Sequence, residues 1–195
     1  MTADSRAGFV RKAALAGAGV IGALGGLGSL ARPAGATTTN DIEILNFALT
    51  LEYLEADFYA DAIAKGGLRR PRVVALAATI QRQEAAHVSF LLRALGTAAQ
   101  PKPVFDFKGT TAGDVPFLAT ATFLEETGVR GYSGQAPLVE DKAILKAVLA
   151  LQTVEARHAA WVRAVRDIGP APDAFDSTLT MEQTLAALRR RGFIP

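Results

Sequence analysis

The chain contains two histidines, and each stands three positions after a glutamate: Glu84-Ala85-Ala86-His87 and Glu155-Ala156-Arg157-His158. Residues i and i+3 are neighbours on an α-helical surface, so each pair projects a carboxylate and an imidazole from one face of a helix. That is a metal-ligand spacing. The copies also agree outside the motif: with an offset of 71, Gln81 maps to Gln152, Ala85 to Ala156 and Phe90 to Trp161. A second offset, 73, relates two other segments, carrying Leu45, Ala48, Leu51, Glu52 and Tyr59 onto Leu118, Ala121, Leu124, Glu125 and Tyr132. The near-equal offsets read as an internal duplication of a helical hairpin. Each hairpin supplies one Glu from its first helix and one Glu-x-x-His from its second.

The chain beyond residue 37 reads as helices. Thr39, Asn40 or Asp41 can cap a first helix that Gly66-Gly67 ends, with Leu45, Ala48, Glu52, Glu55, Tyr59 and Ala62 facing inward at alternating spacings of three and four. Pro71 can open a second helix that Gly96 stops; its apolar positions Val73, Leu76, Ile80, Leu91 and Leu95 share a face with Glu84 and His87. Residues 97–116 hold three prolines, two glycines and Phe105-Asp106-Phe107 without a sustained period. Most connections inside compact domains are much shorter, and a four-helix bundle with one long crossover needs such a span. A third helix is expected over about residues 117–132, with Leu118, Ala121, Glu125, Gly128 and Tyr132 inward, and a fourth over about residues 138–168. The fourth has the cleanest period: Ile144, Val148, Leu151, Glu155, His158, Val162 and Val165. A last amphipathic helix, about residues 180–190, ends in Arg189-Arg190-Arg191, cations that suit a helix C-terminus. Phe90 and Trp161 are expected in the core.

This pattern sends Glu52, Glu84, Glu125 and Glu155 into one bundle interior, where unpaired carboxylates each cost several kcal/mol. No Lys or Arg occupies a facing stripe position. Pairing with the two histidines alone leaves at least two anions uncompensated, whereas two divalent cations make the site formally neutral. A ligand set rich in oxygen with one imidazole per metal suits iron, with manganese as the alternative, better than structural zinc.

The first 36 residues read as an export signal. Arg6, Arg11 and Lys12 form a basic start, residues 13–30 are apolar and glycine-rich, and Ala34-Gly35-Ala36 fits a small-residue cleavage site. The glycines weaken the apolar run as a membrane anchor. Ser5-Arg6-Ala7 departs from a twin-arginine motif at Ala7, which leaves the export route open. Cleavage after Ala36 removes Arg6, Arg11, Lys12, Arg32 and Asp4, turning the formal net charge from +2 to −1, so the high pI says little about partners. The scattered basic residues make no nucleic-acid footprint. No cysteine is present, which excludes disulfides, a Cys-linked lipid anchor and thiolate metal sites. Periplasmic, cell-envelope or secreted protein is the expectation, in two parts: a signal over 1–36 and one domain over 37–195, without stable membrane association after cleavage.

The arrangement resembles the ferritin-like superfamily, across about residues 40–168. The first ligand helix, with Leu51-Glu52 followed by Tyr59, looks like that of bacterioferritins. Leu45 to Leu49, Leu51 to Glu55, Phe105-Asp106-Phe107 and Gly128-Val129-Arg130-Gly131-Tyr132 resemble exported bacterial ferritin-like domain proteins, a group with desiccation-related members. The resemblance implies an all-α fold: an antiparallel four-helix bundle with one long crossover and a short C-terminal helix. It also implies that Glu84 and Glu155 bridge two metals, that Glu52 and Glu125 are terminal ligands, and that His87 and His158 complete one metal each. Glu126 rivals Glu125, but its mate by the second offset is Tyr53, which places Glu126 towards solvent. Glu55, whose mate is Gly128, reads as a base near the metals, an extra ligand, or a carboxylate at the bundle rim. Tyr59 and Tyr132 either donate to ligand carboxylates or pack through their rings.

Two functions follow from this reading. One is an oxidoreductase in which Fe(II) is oxidised by dioxygen or peroxide, with metal ions and the oxidant as partners. The other is an exported, stress-protective protein whose metal pair only holds the bundle together. A homo-oligomer is a further expectation in either case.

Overall fold

A computed structural model describes residues 38–195. The expected signal segment 1–36 and its cleavage point lie outside the described residues. Among the described residues the regular structure is helical: α1 (Thr39–Lys65), α2 (Pro71–Leu95), α3 (Asp114–Gln135), α4 (Lys142–Val165) and α5 (Met181–Arg190). No described helix is long and apolar enough to cross a membrane.

The helix ends follow from local chemistry, and several differ from expectation by a few residues. Thr38 caps α1, its hydroxyl accepting from the backbone N of Asp41 at 3.1 Å. Asn40 and Asp41 are not caps because both are engaged across the bundle. The Asn40 side chain donates to the carbonyl of Leu138, and the buried Asp41 carboxylate accepts from the backbone N of Glu140 and of Asp141, each at 2.9 Å. Gly66, at φ +61°, supplies the left-handed residue that closes α1. Helix α3 starts earlier than expected, at Asp114, because Pro116 lies in the first turn, where its missing N–H is not needed. It also runs on to Gln135. Helix α4 is shorter than expected: Asp141 caps it by accepting from Ala143 and Ile144, and residues 136–138 form a separate 3₁₀ turn. Thr180 and Gln183 make a reciprocal capping box at the start of α5.

These contacts also set the topology. Helix α1 packs mainly along α2, and α3 along α4. The crossover leaves the end of α2 held by Asn46 of α1, which donates to the carbonyl of Ala98 and accepts from the backbone N of Gln100. It then runs the length of the bundle, so that Asp114, at the start of α3, accepts from the backbone N of Arg69 and Arg70 at the α1–α2 turn. Helices α2 and α3 therefore point the same way, while α1 with α2 and α3 with α4 form antiparallel hairpins. The four long helices form a bundle with a long crossover between the second and third and a short last helix, the architecture that the resemblance implies.

Two apolar clusters bracket the middle of the bundle. One is built around Phe58, Phe107 and Phe117, with the Phe58 and Phe117 rings stacked at 5.2 Å between centroids; the other contains Leu49, Leu91, Val148 and Leu151. Burial of each such side chain stabilises the fold by about 1.5–3 kcal/mol. Phe90 is only partly buried, and Trp161 is 37% exposed, so neither belongs to the core interior. Phe90 packs against the edge of the second cluster, whereas Trp161 lines an opening between α2 and α4 that leaves room for water.

Candidate metal centre

Between the two apolar clusters lies a polar layer. Glu52 and Glu55 come from α1, Glu84 and His87 from α2, Glu125 from α3, and Glu155 and His158 from α4. All five carboxylates are at most 2% exposed, so the layer is part of the bundle interior and none lies at the rim. Each residue falls on the inward seam of its helix, which is why the seven converge.

The two histidines organise the layer. Nδ1 of His87 lies 3.0 Å from Oε2 of Glu52, 3.1 Å from Oε2 of Glu84 and 3.0 Å from Oε1 of Glu155. Nδ1 of His158 lies 2.9 Å from Oε1 of Glu84, 3.2 Å from Oε2 of Glu155 and 3.5 Å from Oε2 of Glu125. Glu84 and Glu155 thus each turn one oxygen to each histidine, while Glu52 faces only His87 and Glu125 faces only His158. The rings lie 6.2 Å apart between centroids and 27° from parallel.

Two tyrosines hold the outer carboxylates. Tyr59 donates its hydroxyl to Oε1 of Glu125, and Tyr132 donates to Oε1 of Glu52. Each of these glutamates therefore has one oxygen fixed by a tyrosine and the other turned towards a histidine. Both hydroxyls hold their protons well above the usual phenol range, because burial, and then the neighbouring carboxylate, disfavours the phenolate. Of the two readings of these tyrosines, donation to carboxylates is the one the geometry displays. Glu126 stands outside the layer, paired with Arg163.

Glu55 has no hydrogen-bond partner for its buried Oε2. Room for its side chain exists because Gly128 faces it: a Cβ on Gly128 would stand 3.2 Å from Oε1 of Glu55.

The electrostatics show a layer short of positive charge. Burial pushes the Glu52 and Glu55 carboxyls well above the usual range, and neighbouring glutamates push them further. Burial likewise takes Glu125 up to about 7, although His158 pulls it down. Burial would favour neutral histidines, yet the surrounding carboxylates outweigh it, raising His87 and taking His158 up to about 12. Glu84 is held below its usual range because hydrogen bonds from His158 and His87 outweigh its burial. With protein groups alone, the layer balances its charge only by retaining protons.

The donor set fits metal ions. Glu52, Glu84, His87 and Glu155 offer ligand atoms that all lie within 4.8 Å of one another, as do Glu84, Glu125 and His158. Ligand atoms at about 2.1 Å from a shared octahedral ion are about 3.0 Å apart. The separations around the two Nδ1 atoms run from 2.9 to 3.5 Å, which is hydrogen-bond spacing and also close enough for the same atoms to share an ion. Oε2 of Glu55 is buried with no partner at all, and the buried oxygens of Glu84, Glu125 and Glu155 have only the histidine Nδ1 atoms beside them, an arrangement open to cation ligation.

Gln83 escaped the sequence reading. Its Oε1 lies 2.6 Å from Nε2 of His158, on the far edge of the ring from the carboxylates. The available signal was its position beside Glu84, combined with a mismatch in the repeat, where its mate is Val154. Gln83, Val154, Arg157 and Trp161 line a pocket of about 460 Å³ between α2 and α4 that reaches both histidines.

Comparison with known proteins agrees with this architecture. The chain is similar to the desiccation-related protein PCC13-62 of Craterostigma plantagineum, at 27% identity over 169 residues, covering 65% of this chain. The chain spans about half of that relative's length, 53%. The family described as Ferritin-like domain matches residues 40–167, the four helices that carry the polar layer, and the chain belongs to that family.

Proposed function

We propose that this is an exported di-iron carboxylate protein that oxidises Fe(II) with dioxygen or peroxide. The observation that carries the reading is the placement of Glu84 and Glu155, each with one oxygen at His87 and the other at His158. Two ions bound here would be held jointly by Glu84 and Glu155, one of them also by Glu52 and His87 and the other by Glu125 and His158. A pair of iron ions there supplies two one-electron equivalents to the oxidant. Manganese fits the same oxygen-rich donor set.

The protein's own residues do the rest. Tyr59 and Tyr132 hold the outer carboxylates by one oxygen, so that the other, turned towards His158 or His87, would be available to a metal. Glu55 supplies a buried oxygen without a partner, available as an extra ligand or as a proton acceptor beside the site. The two apolar clusters exclude bulk water from above and below. The name of the Craterostigma plantagineum relative fits a role in desiccation, and the N-terminal composition fits export with cleavage after Ala36.

A second reading is supported by the full burial of the four carboxylates Glu52, Glu84, Glu125 and Glu155: the metal pair would serve only to neutralise them and so hold the bundle together. Iron oxidation separates the two. Apoprotein is loaded with two Fe(II) per chain, exposed to oxygen, and followed by Fe(III) absorbance beside the Glu84→Ala and His158→Ala variants. Faster oxidation by the parent protein supports the enzyme. Equal rates leave the structural role. Mass spectrometry of the protein from its native compartment tests export; an intact Met1 in a cytoplasmic fraction refutes it.

A further inference from the structure

The two halves of the layer differ on the outer edges of the histidine rings. Both rings present Nδ1 to the carboxylates. The opposite nitrogen of His158 is closed by Gln83 at 2.6 Å, whereas no described residue hydrogen-bonds Nε2 of His87. The repeat explains the difference: Gln83 corresponds to Val154, which has nothing to offer an imidazole N–H. The side chain of His158 is 3% exposed and that of His87 12%, so His87 is also the wetter of the two.

An amide oxygen cannot donate, so in the contact with Gln83 the proton must be on Nε2 of His158. The contact fixes the ring plane and keeps Nε2 protonated, so that Nδ1, which faces Glu84, Glu125 and Glu155, is the nitrogen that would give up its proton to a metal. His87 has no such partner on its outer edge, and its ring is placed only by the Nδ1 contacts with Glu52, Glu84 and Glu155. Outer partners of this kind raise the basicity of a ligand imidazole and orient it before the ion arrives.

We infer that Gln83 is a positioning residue for one metal only, making the His158 position the firmly held one and the His87 position the one that exchanges. The inference rests on the two-metal reading of the layer. The pocket between α2 and α4 reaches both rings, so solvent meets the outer edge of His87 while Gln83 occupies that of His158.

The test is a Co(II) titration of metal-free protein, read by visible absorption, with proton NMR of the loaded protein for the shifted imidazole N–H signals. The parent is expected to take up two Co(II) in distinguishable steps. One N–H signal should be protected from exchange with water and the other should exchange quickly. In Gln83→Val one step should weaken by about 10-fold or more while the other stays, and the protected N–H should become fast. Gln83→Glu, which keeps an acceptor at the same reach, should retain both the affinity and the protection. Gln83 is exposed, so an unchanged circular dichroism spectrum is expected for both variants. If Gln83→Val binds both ions as the parent does, weakens both steps equally, or leaves the protected N–H untouched, the inference is wrong while the metal site stands. If the parent takes up fewer than two Co(II), the two-metal reading itself falls.

Discussion

Glu55 and Gly128 occupy equivalent positions in the two halves of the chain and face each other across the bundle, with Oε1 of the glutamate 3.2 Å from where a glycine Cβ would stand. One half gained a carboxylate where the other gave up a side chain. Gly128→Ala is therefore expected to cost about 1 kcal/mol through crowding, despite alanine's better helix propensity. In a Glu55→Ala background the same change should stabilise, by up to about 1 kcal/mol. Chemical denaturation of the four proteins measures the coupling, and additive effects would show that the two residues do not share space.

Tyr132→Phe removes the donor to Oε1 of Glu52 and leaves a buried carboxyl oxygen unpaired. A loss of about 1–3 kcal/mol in apoprotein stability is expected, with metal affinity falling about 10-fold or more. Thermal melting of the metal-free protein and a Co(II) titration read the two effects separately.

The apoprotein should lose stability as pH rises from 5 to 8. Glu125 titrates near 7 when folded against an ordinary 4.5, so its contribution is whole below 4.5 and disappears as pH climbs through 7. His158, raised from 6.5 to about 12, adds a decline that starts above 6.5. Glu84, shifted downward, loses its contribution only in acid, below this window. Metal binding needs the carboxylates ionised and the imidazoles neutral, so the rise in melting temperature on adding Mn(II) should be larger at pH 8 than at pH 5. A metal-induced shift that does not depend on pH would contradict the proton-retaining layer.

Asp41→Ala should be among the more damaging changes remote from the metal layer. It removes an acceptor from two backbone N–H groups at the start of α4, each such bond to a charged group being worth about 1.5–3 kcal/mol. Urea denaturation should show a lowered midpoint, with metal stoichiometry unchanged.

Much of this was legible in the sequence, because seam positions obey a period. Glu52, Glu84, Glu125, Glu155 and His158 each replace an apolar residue in a regular inward run, and burial follows from the run itself. The offsets then pair the helices. What stayed hidden depends on contacts between distant segments. Asp41 is a good local cap, and nothing nearby reveals that its carboxylate is claimed by residues 99 and 100 positions away. Gln83 lies on an exposed part of α2, outside the apolar stripe, and meets His158 only after the hairpins dock. Trp161 was misplaced for the opposite reason: its size suggests a core residue, but α2 and α4 part there and the indole lines the opening.

The crossed tyrosine contacts carry a further consequence. Tyr59 of the first hairpin reaches Glu125 of the second, and Tyr132 of the second reaches Glu52 of the first. Residue i touching j' while j touches i' is the signature of an isologous interface, the kind that two identical subunits make about a twofold axis. Here both subunits are halves of one polypeptide, joined by the crossover. Covalent joining removes the requirement that the halves be identical, and the protein uses that freedom twice, at Glu55 opposite Gly128 and at Gln83 opposite Val154. A symmetric pair of separate hairpins would have to carry both members of each substitution or neither; a single chain can make its two sides chemically distinct.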